Sequence, residues 1–447
     1  FRKPVIIWAL EEGITQGPNL ADFLIVLSKH HGLFVDIHLR RKIAQALSIA
    51  GDPELAMQFA MKCVDIHPQD AASALVSLQS SILLGNPDLI LSASDISLSM
   101  RSISDRIDYA PIAVASLRIG DRKFAKDILS RRRVKLNEVG HKIRVGLPFF
   151  EGDYQNAIEE VERTPLPHRR NDNFATMKSM SLAKQGQLEE ALFVCNEDIS
   201  SEEEAEVLET VIHMIGGNYE SALSSLNGHY ERFGARRMSK KWLDSGFNFL
   251  EIGAESGEKG DFVDRGLVSV VMTCHQWNDA LPLALESIFQ QTYSNIELVF
   301  VDDCSSPEDV GRYDELLNGK PVKRFRMEEN VGTYACRNKG IDASEGEFIT
   351  FADSDDWNHP EKIERAVRNI IDKSVELTHG RYLRTDIGGE ISWNGTRFAR
   401  FALSGMMITR NGLNKMIEGF DHRVRFGSRF RVPREGQGRI PLGTKKC

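Results

Sequence analysis

Nowhere in the 447 residues does an apolar run approach the roughly 20 residues that cross a bilayer as a helix, and the longest, VIIWAL and FLIVL, fall far short. No transmembrane helix is predicted. Cysteine is scarce as well: Cys63, Cys195, Cys274, Cys304, Cys336 and Cys447 form no CxxC pair and no His/Cys ligand spacing. That argues against structural zinc, fits a reducing compartment, and leaves the thiols as mostly buried small apolar groups. A basic excess is missing too. With 56 Lys and Arg against 64 Asp and Glu, the net charge is -8, which argues against a general nucleic-acid binder. The chain opens on Phe1 and not on Met, so the natural start is expected upstream.

What the chain has instead is length enough for two or three domains, and an internal repeat. A Gly followed by a turn residue and a helical pattern recurs as GDPELA, GNPDLI, GDRKFA, GDYQNA, GQLEEA and GNYESA, beginning at Gly51, Gly85, Gly120, Gly152, Gly186 and Gly217. The intervals are 34, 35, 32, 34 and 31 residues, which is the length of a helix pair. Each Gly is expected to end one helix in the left-handed conformation. The residue five positions later, Ala in five of the six, lets the next helix pack closely. Pro68 in DIHPQD and the prolines of ERTPLPH sit where one pair hands over to the next. The basic clusters RRRVK at 131–135, HRR at 168–170 and RRMSKK at 236–241 read either as solvated faces or as surfaces for an anionic acceptor or membrane.

Near GAESGEKGDFVDRG, residues 253–266, the helical period stops. Short apolar strands then alternate with amphipathic helices: LVSVVMT, DALPLALESIFQQ, IELVFVDD, a helix after Pro307, VKRFRM, a helix through TYACRNKGIDA, and EFITFADSDD. In the helix 279–291, Leu281, Leu285, Ile288 and Phe289 form one stripe, with Pro282 in the first turn. The pattern predicts a mostly parallel sheet covered on both faces. Ligands of such sheets bind outside the carboxyl ends of the strands, where TCH (273–275), DDCSS (302–306) and DSDD (353–356) fall. In the last of these, Asp353, Asp355 and Asp356 crowd three carboxylates into four positions. Like charges this close oppose one another's ionisation, so a cation is expected among them; the alternative is an acidic turn capping a helix that starts near Pro360.

The ordered set VSVVMTCHQWN, SIFQQTYSNIELVFVDDCSS, ENVGTYACRNKGIDASEGEFITFADSDDW and HPEKIE, from about 267 to 372, resembles the nucleotide-sugar half of a family 2 glycosyltransferase with the GT-A fold. The repeats resemble tetratricopeptide repeats. The expected organisation is an N-terminal helical segment 1–34, an all-α repeat solenoid 35–252, a linker 253–266 and an α/β GT-A domain 267–447. The resemblance implies that Asp355 and Asp353 bind a manganese or magnesium ion, with Asp353 also approaching the ribose and Asp356 supporting them or touching the sugar. Thr273 and His275 would contact the nucleobase, His275 standing where the family more often has Tyr. Asp303 would accept a hydrogen from N3 of uracil, supported by Asp302. Asn330, Gly332 and Arg337 would lie near the diphosphate, Arg337 pairing with phosphate or with the acids, or serving as a structural ion-pair partner.

Farther on, LSGMMITRNGL fits the acceptor side, with SG expected at a strand start. The family then supplies acids for the general base, whereas this chain reads RFGSRFRVPREGQGRIPLGTKKC, leaving Asp421 and Glu435 as candidates. Either residues are missing between Ser428 and Arg429 or the chain is catalytically impaired. From Ser404 onward ten basic residues face three acids, a patch suited to a diphosphate or anionic lipid, or else a solvated tail.

The implied activity is metal-dependent, inverting transfer of a hexosyl or N-acetylhexosaminyl group from a UDP-sugar to a hydroxyl of a glycan or lipid-linked glycan, in bacterial surface polysaccharide synthesis. The expected location is cytoplasmic, extending to a peripheral place on the inner face of the membrane, with a protein partner or self-association through the repeats and no nucleic acid. The alternative is an impaired repeat scaffold with a sugar-nucleotide-binding domain that recruits other glycan-assembly proteins. A nucleotidyltransferase should show a Gly-rich loop with Lys after its first strand, and TCHQWND is not one.

Overall fold

The computed structural model describes residues 37–50, 53–98, 107, 109–130, 136–256 and 265–416. The chain divides into two compact units, 1–194 and 195–447. The expected segment 1–34, Gly51, the cluster 131–135, most of the 253–266 linker and the tail with Asp421, Ser428, Arg429, Glu435 and Cys447 lie outside the described residues.

The first unit is built of helices: α1 (Ile37–Ala50), α2 (Pro53–Ile66), α3 (Ala71–Leu84), α4 (Pro87–Leu98), α5 (Ala110–Arg118), α6 (Arg122–Ser130), α7 (Glu138–Phe150), α8 (Tyr154–Arg163), the short α9 (Leu166–Arg169), α10 (Asp172–Lys184) and α11 (Leu188–Asp198), which crosses the division. The repeat glycines do what their spacing predicts. Gly85 takes φ +68° and its N–H closes α3 onto the carbonyls of Ser81 and Ile82. Gly120, Gly152 and Gly186 repeat the left-handed turn, a conformation a Cβ would strain by roughly 1 kcal/mol. The next helix is then started by a side chain, as where Asp153 accepts from the Asn156 N–H. Five residues past each glycine, Ala125, Ala157 and Ala191 are wholly buried between paired helices, and Ile90 fills the same place as the larger variant.

The second unit opens with one more helix pair, α12 (Glu202–Ile215) and α13 (Tyr219–Arg232), joined through the left-handed Gly217. After α14 (Lys240–Asp244) and a 3₁₀ turn come β1 (Val268–Cys274), α15 (Leu281–Phe289), β2 (Ile296–Asp302), α16 (Pro307–Leu317), β3 (Val322–Arg326), α17 (Thr333–Asp342), β4 (Phe348–Asp353), α18 (Lys362–Lys373), β5 (Leu377–Tyr382), β6 (Arg400–Thr409) and α19 (Arg410–Met416). The strands form one sheet in the order β3-β2-β1-β4-β6-β5. The first four strands are mutually parallel, and β6 runs antiparallel to both β4 and β5.

Alternation along β1 sends Val268, Val270 and Met272 to one face, against α15, α16 and α18, and Val271 to the other, against α17. Both faces are covered, which is why the strands read as nearly unbroken apolar runs. In α15 the stripe holds for Leu281, Leu285 and Ile288, but Phe289 turns outward, 38% exposed, with the Lys320 ammonium 5.1 Å over its ring. Burial ends at Ile288, one residue before the last residue of α15. The SG pair also differs from expectation: Ser404 and Gly405 lie inside β6, not at its start.

Gly340 carries α17 onto the sheet, since a Cβ there would overlap the Val271 side chain. Gly340→Ala is therefore expected to lower stability by about 1–3 kcal/mol, read as a shift of the urea midpoint at constant slope.

Candidate functional site

Because β2 and β4 flank β1 on opposite sides, a crevice opens where their carboxyl ends meet. The register sets Thr273 beside Asp353 and Cys274 beside Asp302. A cavity of about 370 Å³ lies there, with Thr273, His275, Asp303, Arg337, Asp353 and Asp355 in its wall. Six residues predicted from three separated motifs thus line one space.

On one side of the crevice, Asp303 is buried, and its two carboxylate oxygens accept the N–H groups of Val331 (2.8 Å) and Gly332 (2.9 Å). Gly332, at φ +86°, starts α17. His275 bridges the same elements. Its Nδ1 is 2.8 Å from the Asp303 carbonyl, which can only accept, so Nδ1 carries the proton. Nε2 then accepts from the Asn330 amide at 3.0 Å. Asn330 and Gly332 are therefore fixed by His275 and Asp303, which together hold their loop. Asp302 does not line the cavity. It is buried below it, accepting from the Ser305 N–H at 3.0 Å and paired with Arg326 at 3.4 Å, contacts that shape the turn after β2.

The acidic side is a graded cluster. Arg337 donates from Nη2 to Asp353 Oδ1 at 2.6 Å, and its guanidinium lies 5.7 and 5.8 Å from the rings of Tyr334 and Phe351. Asp355 is exposed, with no hydrogen bond or ion pair found for it among the described residues. Asp356 turns inward and accepts from Ser404 Oγ at 3.1 Å. Burial, and then the charges of Asp353 and Asp355, push its carboxyl up to about 6. Lys362 Nζ is held by Asn358 Oδ1 at 2.6 Å; burial pushes it down to about 8, while Asp356 and Asp353 favour its charge. Near neutral pH Asp356 and Lys362 therefore both carry charge. The thiols of Cys274 and Cys336 are raised by burial and stay neutral.

Sequence reasoning did not pair Lys362 with Asn358 or Ser404 with Asp356. Lys362 stands in HPEKIE four residues after Asn358, a helical spacing that could have paired them; Ser404 carries no local signal.

Residues 269–432 match the family model described as Glycosyl transferase family 2. An uncharacterized glycosyltransferase of Haemophilus influenzae is 32% identical over 124 residues, covering 28% of this chain and 50% of that protein. The Escherichia coli UDP-Glc:alpha-D-GlcNAc-diphosphoundecaprenol beta-1,3-glucosyltransferase WfgD is 28% identical, covering 34% of this chain and 57% of its own length. Among solved structures, S. aureus TarS 1–349 in complex with UDP-GlcNAc is 27% identical over 25% of this chain and 33% of that one, with a TM-score of 0.24. The chain thus spans about half the length of these two curated relatives. With the mixed sheet, the crevice at its carboxyl edge and the motif order all in agreement, the second unit carries a glycosyltransferase family 2 domain of the GT-A class.

Proposed function

We infer that this chain is a metal-dependent, inverting glycosyltransferase that uses a UDP-sugar and a hydroxyl of a glycan or lipid-linked glycan in bacterial surface polysaccharide synthesis. The observation that carries the reading is that Asp353 and Asp355 line the same crevice as Thr273, His275 and Asp303. The WfgD relative, named for a UDP-glucose donor and a lipid-linked acceptor, supports the choice of donor and acceptor class.

The donor set fits a hard dication. Asp355 is exposed toward the crevice, and Asp353 has one oxygen on Arg337 and the other outside that bond. Among the described residues no group of three or more His, Cys, Asp or Glu side chains is arranged to hold an ion. Two carboxylates, completed by diphosphate oxygens and water, are a usual complement for magnesium or manganese beside a nucleotide. Bound there, the cation would supply neutralisation of the leaving diphosphate.

The residues of the chain then divide the work. Thr273 and His275 border the base, with His275 locked in one tautomer by the Asp303 carbonyl. Arg337 holds Asp353 so that its carboxylate stays aimed at the crevice. In the transfer, the acceptor oxygen bonds to the anomeric carbon as the bond from that carbon to the β-phosphate oxygen breaks, inverting the centre. The hydroxyl proton passes to a carboxylate base, for which Asp421 and Glu435 are the candidates and lie outside the described residues.

The test is a donor screen that reads UDP release from the full chain with manganese and a glycan acceptor. Release with at least one UDP-sugar is expected, and none with any of them overturns the enzyme. The scarcity of acids after Ser428 favours one second reading, the impaired scaffold, which would bind UDP in a calorimeter and turn nothing over.

A further inference from the structure

The helix pair α12–α13 belongs to the same compact unit as the sheet, and its far end meets the segment that follows the acids. The His359 ring stacks on Tyr230 with centroids 5.2 Å apart and planes at 15°. His359 Nε2 lies 3.1 Å from the Arg236 carbonyl and must donate to it, so Nδ1 accepts from the Glu361 N–H at 3.3 Å. Burial lowers the imidazole's pKa and keeps it neutral, the form both bonds require.

Glu361 answers in the opposite direction. Its carboxylate takes the Arg236 N–H and the Arg236 Nε, both at 3.2 Å. Arg365 reaches the carbonyls of Phe233 (2.8 Å) and Gly234 from the same helix turn. Trp357 packs beside Met238, Trp242 and Phe247. On its other side the segment is tied to the end of α15, where Gln291 Nε2 donates to the His359 carbonyl at 2.9 Å. His359 stands four residues past Asp355, so the acids are strung between β4 and a clamp with two jaws. Part of the basic cluster RRMSKK is thereby accounted for: Arg236 is a jaw and not a solvated face.

We propose that His359 and Glu361 are positioning residues, and that the elbow between α13 and α14 fixes where Asp355 stands in the crevice. The functional half of this rests on the donor-site reading; the geometric half does not. A loop whose anchor is lost samples many positions, and a metal ligand misplaced by an ångström loses most of its contribution.

The experiment uses the full chain and four variants: His359→Ala, Glu361→Ala, His359→Gln, whose amide N–H can reach the Arg236 carbonyl, and Tyr230→Phe, which keeps the stacked ring. Amide hydrogen exchange is read for 353–362 and, as reference, for β1 and β2; UDP affinity is read by calorimetry with manganese. The two alanine variants are expected to exchange at least tenfold faster in 353–362 with β1 and β2 unchanged, and to bind UDP about tenfold more weakly. His359→Gln recovers part of both, and Tyr230→Phe matches the parent. Unchanged exchange in 353–362, or an equal rise in β1 and β2, overturns the positioning role. Confined acceleration in a protein that binds no UDP at all upholds the clamp and removes the donor reading instead.

Discussion

Asp355→Ala is expected to lower UDP release by about a thousandfold while leaving thermal stability close to that of the parent. The two halves of that expectation have separate causes. No hydrogen bond or ion pair is found for Asp355 within the described residues, and its charge adds to the repulsion that lifts the Asp356 carboxyl to about 6. Removing it therefore takes nothing from the fold and lets Asp356 ionise more readily. Catalysis has the opposite balance. On the proposed function Asp355 would be a hard ligand of the cation beside the departing diphosphate, and its loss would forgo several kcal/mol of charge stabilisation, about 4 kcal/mol corresponding to a thousandfold in rate. The measurements are steady-state UDP release, UDP–manganese calorimetry and a melting curve. A variant that binds UDP and manganese as tightly as the parent would remove the metal from the reading and leave the acids as a helix-capping turn.

The strands, their alternation with helices, and the glycine-terminated repeats were legible because each rests on neighbours in sequence. Gly85 ends α3 through carbonyls three and four residues back, and Val268, Val270 and Met272 share a face by simple alternation. The crevice was legible by a rule of topology applied to three polar clusters, and the structure sets Thr273, Asp303 and Asp353 around one cavity. What escaped depends on distance along the chain. Ser404 reaches Asp356 across 48 residues, and Arg236 meets His359 across 123, separations that no local pattern encodes. The division of labour between Asp302 and Asp303 came from the family resemblance and not from any local pattern. Adjacent residues at a strand end point to opposite sides, and only the positions of Ser305, Arg326 and α17 decide which one faces the crevice. Phe289 shows the limit of helical periodicity, because a stripe has meaning only as far as the helix and its neighbours extend.

Asp353→Ala should behave unlike its neighbour two positions on, destabilising the fold as well as weakening donor binding. Arg337 is almost fully buried, its side chain 7% exposed, and Asp353 is the carboxylate that holds it at 2.6 Å. Its Nε has no hydrogen-bond partner among the described residues. Deleting Asp353 leaves a guanidinium that cannot shed its proton in a pocket walled by Phe351 and Tyr334. Breaking a fully buried pair this way costs about 3–5 kcal/mol. Asp353 is itself 35% exposed, and solvent screening reduces the expected loss to about 2–3 kcal/mol. The double variant Asp353→Ala/Arg337→Met removes the stranded charge and should regain most of that stability, since an apolar chain of similar length fills the space between the rings. Urea unfolding of the two single variants and the double gives the coupling directly. If Asp353→Ala unfolds at the parent's midpoint, Arg337 is already neutralised by other groups, and the ion pair does not hold the carboxylate in place.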